Sequence, residues 1–158
     1  MSAALPLAGL DPHHFSISVP DLDQSIAFWS DLFGFTVERR FALESLGAQA
    51  AFMTGPGLRI ELWCLAGSAP VPPERRTPNS DLLTQGTKHV AFTVPDLQAA
   101  IETLHASGVP IVAVQRDRAD KMRAEADPRL APGDARKPAF ASFIADPGGA
   151  LIELIQAA

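Results

Sequence analysis

The sequence predicts an α+β fold built from two copies of one strand–helix–three-strand module. The stretch His14-Phe15-Ser16-Ile17-Ser18-Val19-Pro20-Asp21-Leu22 recurs 75 positions later as His89-Val90-Ala91-Phe92-Thr93-Val94-Pro95-Asp96-Leu97. Each copy leads into a segment of helical period closed by a glycine, and then into apolar strand candidates. The ends of the halves also match: Phe52-x-x-x-Pro56-Gly57 with Ile60-Glu61-Leu62 is answered by Phe143-x-x-x-Pro147-Gly148 with Ile152-Glu153-Leu154.

Residues 1 to 12 read as a tail ending in Asp11-Pro12, a break ahead of the first strand. Phe15, Ile17 and Val19 then alternate with His14, Ser16 and Ser18, the period of a half-buried strand. Asp21 is a candidate N-cap with Gln24 three residues on, and Leu22, Ile26, Trp29 and Phe33 recur at helical spacing before Gly34. Strands follow at 35–41, 48–53 and 58–65, separated by Glu44-Ser45-Leu46-Gly47 and Thr54-Gly55-Pro56-Gly57. The segment 66–85, with prolines at 70, 72, 73 and 78, is an irregular connector. The second half repeats the order: strand 88–94, helix 96–107 with Leu97, Ile101 and Leu104 inward, Gly108 as stop, and strands 109–114, 139–144 and 150–156.

Forty-seven residues separate His14 from Glu61 and 64 separate His89 from Glu153. The 17-residue excess falls in 115–138, an insertion rich in Arg, Asp and Lys that reads either as a solvated loop or as a lid over the site. The predicted organisation is one domain over 1–158: module one at 13–65, connector 66–87, and module two at 88–156 carrying the insertion.

An apolar content of 47 % supports a real core and argues against disorder. Net charge is −5, with no basic stripe interleaved with aromatics, which argues against nucleic-acid binding. Cys64 is the sole cysteine, and no stretch approaches a membrane span or a signal peptide. A soluble, cytoplasmic protein is the expectation.

Each half contributes a histidine heading its first strand and a glutamate in its last: His14 and Glu61, His89 and Glu153. Two imidazoles and two carboxylates form a divalent-metal set, because neutral nitrogen and anionic oxygen suit borderline first-row ions. Such an ion also neutralises carboxylates that would otherwise be costly to bury. Glu61 and Glu153 sit between residues aimed at the apolar side, so they face a cavity or water. The repeat aligns His14, not His13, with His89, which puts His13 on the other side as a surface residue. His105 reads as a helix-boundary residue and Cys64 as an inert thiol packed under the helices. Trp63 and Arg59 share the parity of Glu61 and either line the cavity or cover the sheet.

These motifs, with Phe28-Trp29, Leu32-Phe33-Gly34-Phe35 and Asp146-Pro147-Gly148-Gly149-Ala150-Leu151-Ile152-Glu153-Leu154, resemble the vicinal oxygen chelate superfamily over about residues 13 to 156. That is the group of glyoxalase I, methylmalonyl-CoA epimerase, extradiol dioxygenases and bleomycin-resistance proteins. The family usually has tyrosine where Trp29 stands. The resemblance implies paired βαβββ modules curling into a half-barrel sheet, helices on the outer face, a metal on the concave side, and a homodimer.

Glyoxalase I and the epimerase are similar in using a fourth protein ligand at the place of Glu61. Extradiol enzymes instead resemble an iron triad matching His14, His89 and Glu153, and they rely on a tyrosine, which this chain lacks. The expectation is therefore an isomerase, epimerase or glyoxalase-type lyase. It would use one divalent ion (Ni, Co, Zn, Mn or Fe) to move a proton next to the carbonyl of a small-molecule substrate through a metal-bound enediolate or enolate. Glu153, Glu61 and Glu44 are the candidate bases, Glu44 because its segment is similar to the base-bearing one of the epimerase. The alternatives are an Fe(II) extradiol-type dioxygenase and a metal-free small-molecule-binding resistance protein.

Overall fold

In the computed structural model, which describes residues 11–158, the described chain divides into two compact units, the first ending at Ala66 and the second covering 67–158. The first ten residues of the expected tail lie outside the described residues. In the first unit, β1 (Phe15–Ser18) leads to α1 (Leu22–Phe33), followed by β2 (Thr36–Leu43), β3 (Ala48–Gly55) and β4 (Leu58–Leu65). The second unit repeats this with β5 (His89–Val94), α2 (Leu97–Ala106), β6 (Ile111–Gln115), β7 (Ala141–Ala145) and β8 (Leu151–Gln156). Each unit carries one four-stranded sheet, ordered β1-β4-β3-β2 and β5-β8-β7-β6. The first strand runs parallel to the last, with the rest antiparallel, and neither sheet closes into a barrel. The α+β reading and the βαβββ repeat therefore hold.

Local chemistry explains the helices. Asp21 accepts from the Gln24 N–H at 2.8 Å and Asp96 from the Ala99 N–H at 2.9 Å, so the repeated Val-Pro-Asp-Leu is an N-cap signal in both units. Gly34 ends α1 in the left-handed region at φ 69, where a side chain would strain the backbone. Val19, Trp29, Phe35, Ala51, Met53, Ile60 and Leu62 are buried and form the first core. Leu97, Ile101, Ile144, Ile152 and Leu154 form the second.

Strand alternation sorts the two faces. Ile60 and Leu62 are fully buried while Glu61 between them is half-buried, and the same holds for Ile152, Glu153 and Leu154. In both sheets the ladder slips at the same place. In β2 the pairing passes from Val37↔Met53 to Arg39↔Phe52, and in β6 from Ile111↔Ile144 to Ala113↔Phe143. Glu38 and Val112 are thus the extra residues of two equivalent β-bulges.

The connector contains two short 3-10 helices, Pro73–Arg76 and Ser80–Leu83, within otherwise irregular chain. The insertion is tied together from inside. Arg116 donates to both oxygens of Glu125 at 2.7 Å, and Arg136 Nη1 reaches the same carboxylate at 2.7 Å. Val114 and Arg123 exchange both backbone hydrogen bonds. Among the described residues no helix is long and apolar enough to cross a membrane.

Candidate functional site

His14 precedes β1 and Glu61 lies in β4, the strand that β1 pairs with, so the parallel register carries the imidazole to the carboxylate. His14 Nε2 lies 3.3 Å from Glu61 Oε2. In the second unit β5 and β8 repeat this pairing, and His89 Nε2 lies 3.2 Å from Glu153 Oε2. Each imidazole also meets a phenylalanine edge-on: His14 with Phe52 at 5.1 Å and His89 with Phe143 at 5.0 Å. The two halves of the predicted set are therefore built alike, as two His–Glu pairs. Among the described residues no group of three or more His, Cys, Asp or Glu side chains is arranged so as to hold a metal ion.

The surroundings of the pairs differ. The Ser16 hydroxyl is 3.1 Å from Glu61 Oε2 and donates to it, whereas Ala91 holds the corresponding place beside Glu153. His13, expected on the opposite side, instead joins the site, with its Nδ1 2.6 Å from His14 Nδ1. The correction has a simple cause, since His13 and His14 stand ahead of the first ladder residue, Phe15, where strand alternation does not constrain side chains.

Arg59 Nη1 approaches His13 Nε2 at 2.6 Å. A guanidinium only donates, so with both imidazoles neutral His13 must carry its proton on Nδ1 and give it to His14 Nδ1. The His14 proton is then on Nε2, facing Glu61. A cation held at Nε2 would take that proton's place, His14 would then carry its ring proton on Nδ1 with His13 as acceptor, and Arg59 would no longer donate to His13 Nε2.

Arg59 and Trp63 both share the face of Glu61: Arg59 lies over the Phe52 ring at 4.8 Å, and Trp63 meets Phe41 at 5.4 Å. His13, His14, Thr54, Gly57 and Arg59 line an open cleft of about 550 Å³. Glu44 opens an exposed 3-10 turn beyond β2. Leu43 is level with Ala48 and Leu65, four residues along β4 from Glu61, so Glu44 lies more than roughly 13 Å along the sheet from that carboxylate. The structure does not bring Glu44 to the pair. His105, read as a boundary residue, is exposed on α2. Cys64 is half-buried rather than fully packed, with Sγ 3.5 Å from the Pro20 carbonyl.

Ser16, Glu38 and Arg39 were not singled out from the sequence. A comparison of charge between equivalent repeat positions would have flagged the last two, because Val112 and Ala113 replace them in module two.

The model of the Glyoxalase/Bleomycin resistance protein/Dioxygenase superfamily matches residues 11–154. The chain belongs to that superfamily. It is 33 % identical over 106 residues to the uncharacterized protein YwkD of Bacillus subtilis (strain 168), covering 66 % of this chain and 77 % of that protein. Solved structures of the superfamily share the fold. The glyoxalase family protein from Enterococcus faecalis matches with a TM-score of 0.68 at 17 % identity, over 94 % of this chain and 99 % of that one. The trypanothione-dependent glyoxalase I of Leishmania major matches at 0.59 and 24 %, over 90 % and 84 %. The fosfomycin resistance protein FosX of Listeria monocytogenes, complexed with Mn(II) and sulfate, matches at 0.57 and 16 %, over 96 % and 94 %.

Proposed function

We propose that this protein is a divalent-metal-dependent isomerase, epimerase or glyoxalase-type lyase that moves a proton next to a carbonyl group. His14, Glu61, His89 and Glu153 are the ligands in this reading. The observation that carries it is the spacing within each pair. At 3.3 and 3.2 Å, nitrogen and oxygen are further apart than the roughly 2.7–2.9 Å of a charge-assisted hydrogen bond. The Arg116–Glu125 pair, by contrast, closes to 2.7 Å. Two adjacent ligands on one first-row ion, each about 2.1 Å from it, stand roughly 3.0–3.4 Å apart for angles between square and tetrahedral. Within each pair, the donor types and their spacing fit such an ion.

A cation held there supplies Lewis-acid stabilisation of the negative charge that develops on a substrate oxygen. The protein's own groups divide the remaining work. Ser16 and His14 fix the Glu61 carboxylate, so Glu61 is suited to be a permanent ligand. Glu153 meets His89 and has Ala91 where Ser16 stands, so it is the freer carboxylate and the base assigned to the carbon-bound proton. Phe52 and Phe143 back the two imidazoles and exclude water from one side of each. Dimerisation belongs to the same reading, as does a small carbonyl compound as substrate.

The test is metal analysis followed by isotope exchange. Protein purified without chelator is expected to carry a divalent ion, and His89→Ala to lose it. With Ni, Co, Zn or Mn restored, the wild type is expected to exchange the C–H next to the carbonyl of a 2-hydroxyketone or a 2-oxoaldehyde thiohemiacetal with deuterated solvent. Oxygen uptake with Fe(II) and a catechol, or metal content unchanged by His89→Ala, would overturn the proposal.

A further inference from the structure

Module one carries a positive charge that its twin lacks. The bulge adds Glu38 to the strand, and its carboxylate takes Arg59 in a two-point grip, Nε to Oε2 at 2.7 Å and Nη2 to Oε1 at 2.5 Å. Those two charges cancel. Arg39, next in the chain, lies with its guanidinium carbon 4.9 Å from the Phe52 ring centre and 5.0 Å from that of Phe41. It is exposed, and among the described residues no carboxylate lies within ion-pair distance of it. Its neighbour Arg40 is committed elsewhere, to Asp23 of α1 at 2.5 Å. Cation–π attraction holds the guanidinium against the rings, and because the residue is exposed its N–H donors are available to a planar or tetrahedral oxyanion.

The second module serves as an internal control. At the positions equivalent to Glu38, Arg39 and Arg59 it has Val112, Ala113 and Leu151, around the same bulge and beside the same phenylalanine. Neither the fold nor the His–Glu pair needs charge there.

We infer that Arg39 is an anion-binding residue that takes the carboxylate or phosphate-type group of the substrate worked on beside His14 and Glu61. Arg39 pairs with Phe52 and Phe52 with Glu61, two strand spacings or roughly 10 Å across the sheet. A molecule gripped by Arg39 and reacting beside Glu61 is therefore a small organic anion, with its charged group within roughly 10 Å of the carbonyl. This substrate class rests on the proposed proton transfer for where the reaction occurs. The anion site itself does not.

The experiment is an NMR titration of the full-length protein at low ionic strength, with inorganic phosphate and separately with acetate. It follows the Arg39 Nε–H and Phe52 amide signals, as purified and again after chelator treatment. Saturable shifts are expected in both preparations, and the stronger of the two anions identifies the group. Arg39→Gln is expected to weaken binding about tenfold, in line with loss of a charge-assisted contact. Arg40→Gln is expected to leave binding unchanged. Glu38→Gln releases Arg59 and is expected to tighten it. Absent shifts in the wild type, or equal losses in Arg39→Gln and Arg40→Gln, would overturn the inference. Metal content is read separately, so an anion site without metal and a metal site without anion binding are distinct results.

Discussion

Replacing Glu125 with Gln should loosen the 115–138 insertion without unfolding the sheet beneath it. The Glu125 carboxylate accepts from Arg116 Nε and Nη2 and from Arg136 Nη1, each at 2.7 Å. Arg116 also donates to the carbonyls of Lys137 and Pro128, so one guanidinium pins three separate parts of the insertion. Its side chain is only 13 % exposed, which leaves it poorly hydrated once the carboxylate is gone. A glutamine presents one acceptor and turns an N–H₂ towards another donor.

Charge-assisted hydrogen bonds contribute about 1.5–3 kcal/mol. A loss near 2 kcal/mol raises the opened population of the loop by about thirtyfold. Hydrogen exchange reads this directly. The amides of Val114 and Arg123, which bond each other's carbonyls at 2.8 and 2.9 Å, should exchange about thirtyfold faster, while those of Ile144 and Ile152 in the core should not change.

The effect also has a sign in pH. The Arg116 hydrogen bonds hold the Glu125 carboxyl below its ordinary value near 4.5, against the opposing effect of burial. Its contribution is therefore complete above that value and disappears as pH falls through the lower value of the folded state, where wild type and variant should converge. Unchanged exchange at Arg123 in a folded Glu125→Gln protein would refute the view that this carboxylate organises the insertion.

Two further substitutions probe the units separately. A Cβ on Gly55 would lie 2.6 Å from the ring of Phe35, which is itself buried against Trp29, so Gly55→Ala should cost about 1–3 kcal/mol in thermal or urea unfolding. Most of that loss should be recovered in a Phe35→Leu background, and strict additivity would count against the clash. Burial raises the Asp146 carboxyl above its usual range even though backbone N–H groups, Ala150 among them at 2.7 Å, bond it. A raised carboxyl favours the folded state increasingly as pH falls from neutral towards its ordinary value. Asp146→Asn, which keeps the Oδ1 acceptor, should remove that slope and leave neutral-pH stability equal or higher, measured as melting temperature against pH. A slope that persists in the variant belongs to another group.

The parts of the fold legible in the sequence are those set by short-range rules. Alternation put Glu61 and Glu153 on the face opposite Ile60, Leu62, Ile152 and Leu154, and the two Asp N-caps sit where Pro-Asp-Leu placed them. β2 runs to Leu43 and β3 to Gly55, beyond the expected ends at 41 and 53, with only Pro56 and Gly57 left for the turn. What alternation could not give is a change of phase. No glycine marks the bulge at Glu38, and nothing local announces that His13, ahead of the ladder, folds back on His14. The charged composition of the insertion was visible. Its pairing was not, because which arginine meets which carboxylate depends on the path of the loop rather than on spacing along the chain.

Duplication explains what is readable in the sequence and where the two modules diverge. A repeated module must keep what closes its sheet and caps its helix, so those residues appear twice. Side chains on the open face carry no such constraint, and there the copies diverge: Ser16 against Ala91, Glu38 against Val112, Arg39 against Ala113, Arg59 against Leu151. All four changes place polarity in module one, and three involve full charges in a sheet that would fold without them. Holding Glu38 and Arg59 together on a partly exposed face contributes little net stability for the side-chain freedom it removes. The arrangement is better accounted for by its effect on neighbours. It neutralises Arg59 and holds it at His13, and among the described residues it leaves Arg39 without a carboxylate at ion-pair distance. In the function proposed above, the matched pairs would hold the chemistry common to the two modules, and the unmatched residues of module one would select what that chemistry acts on.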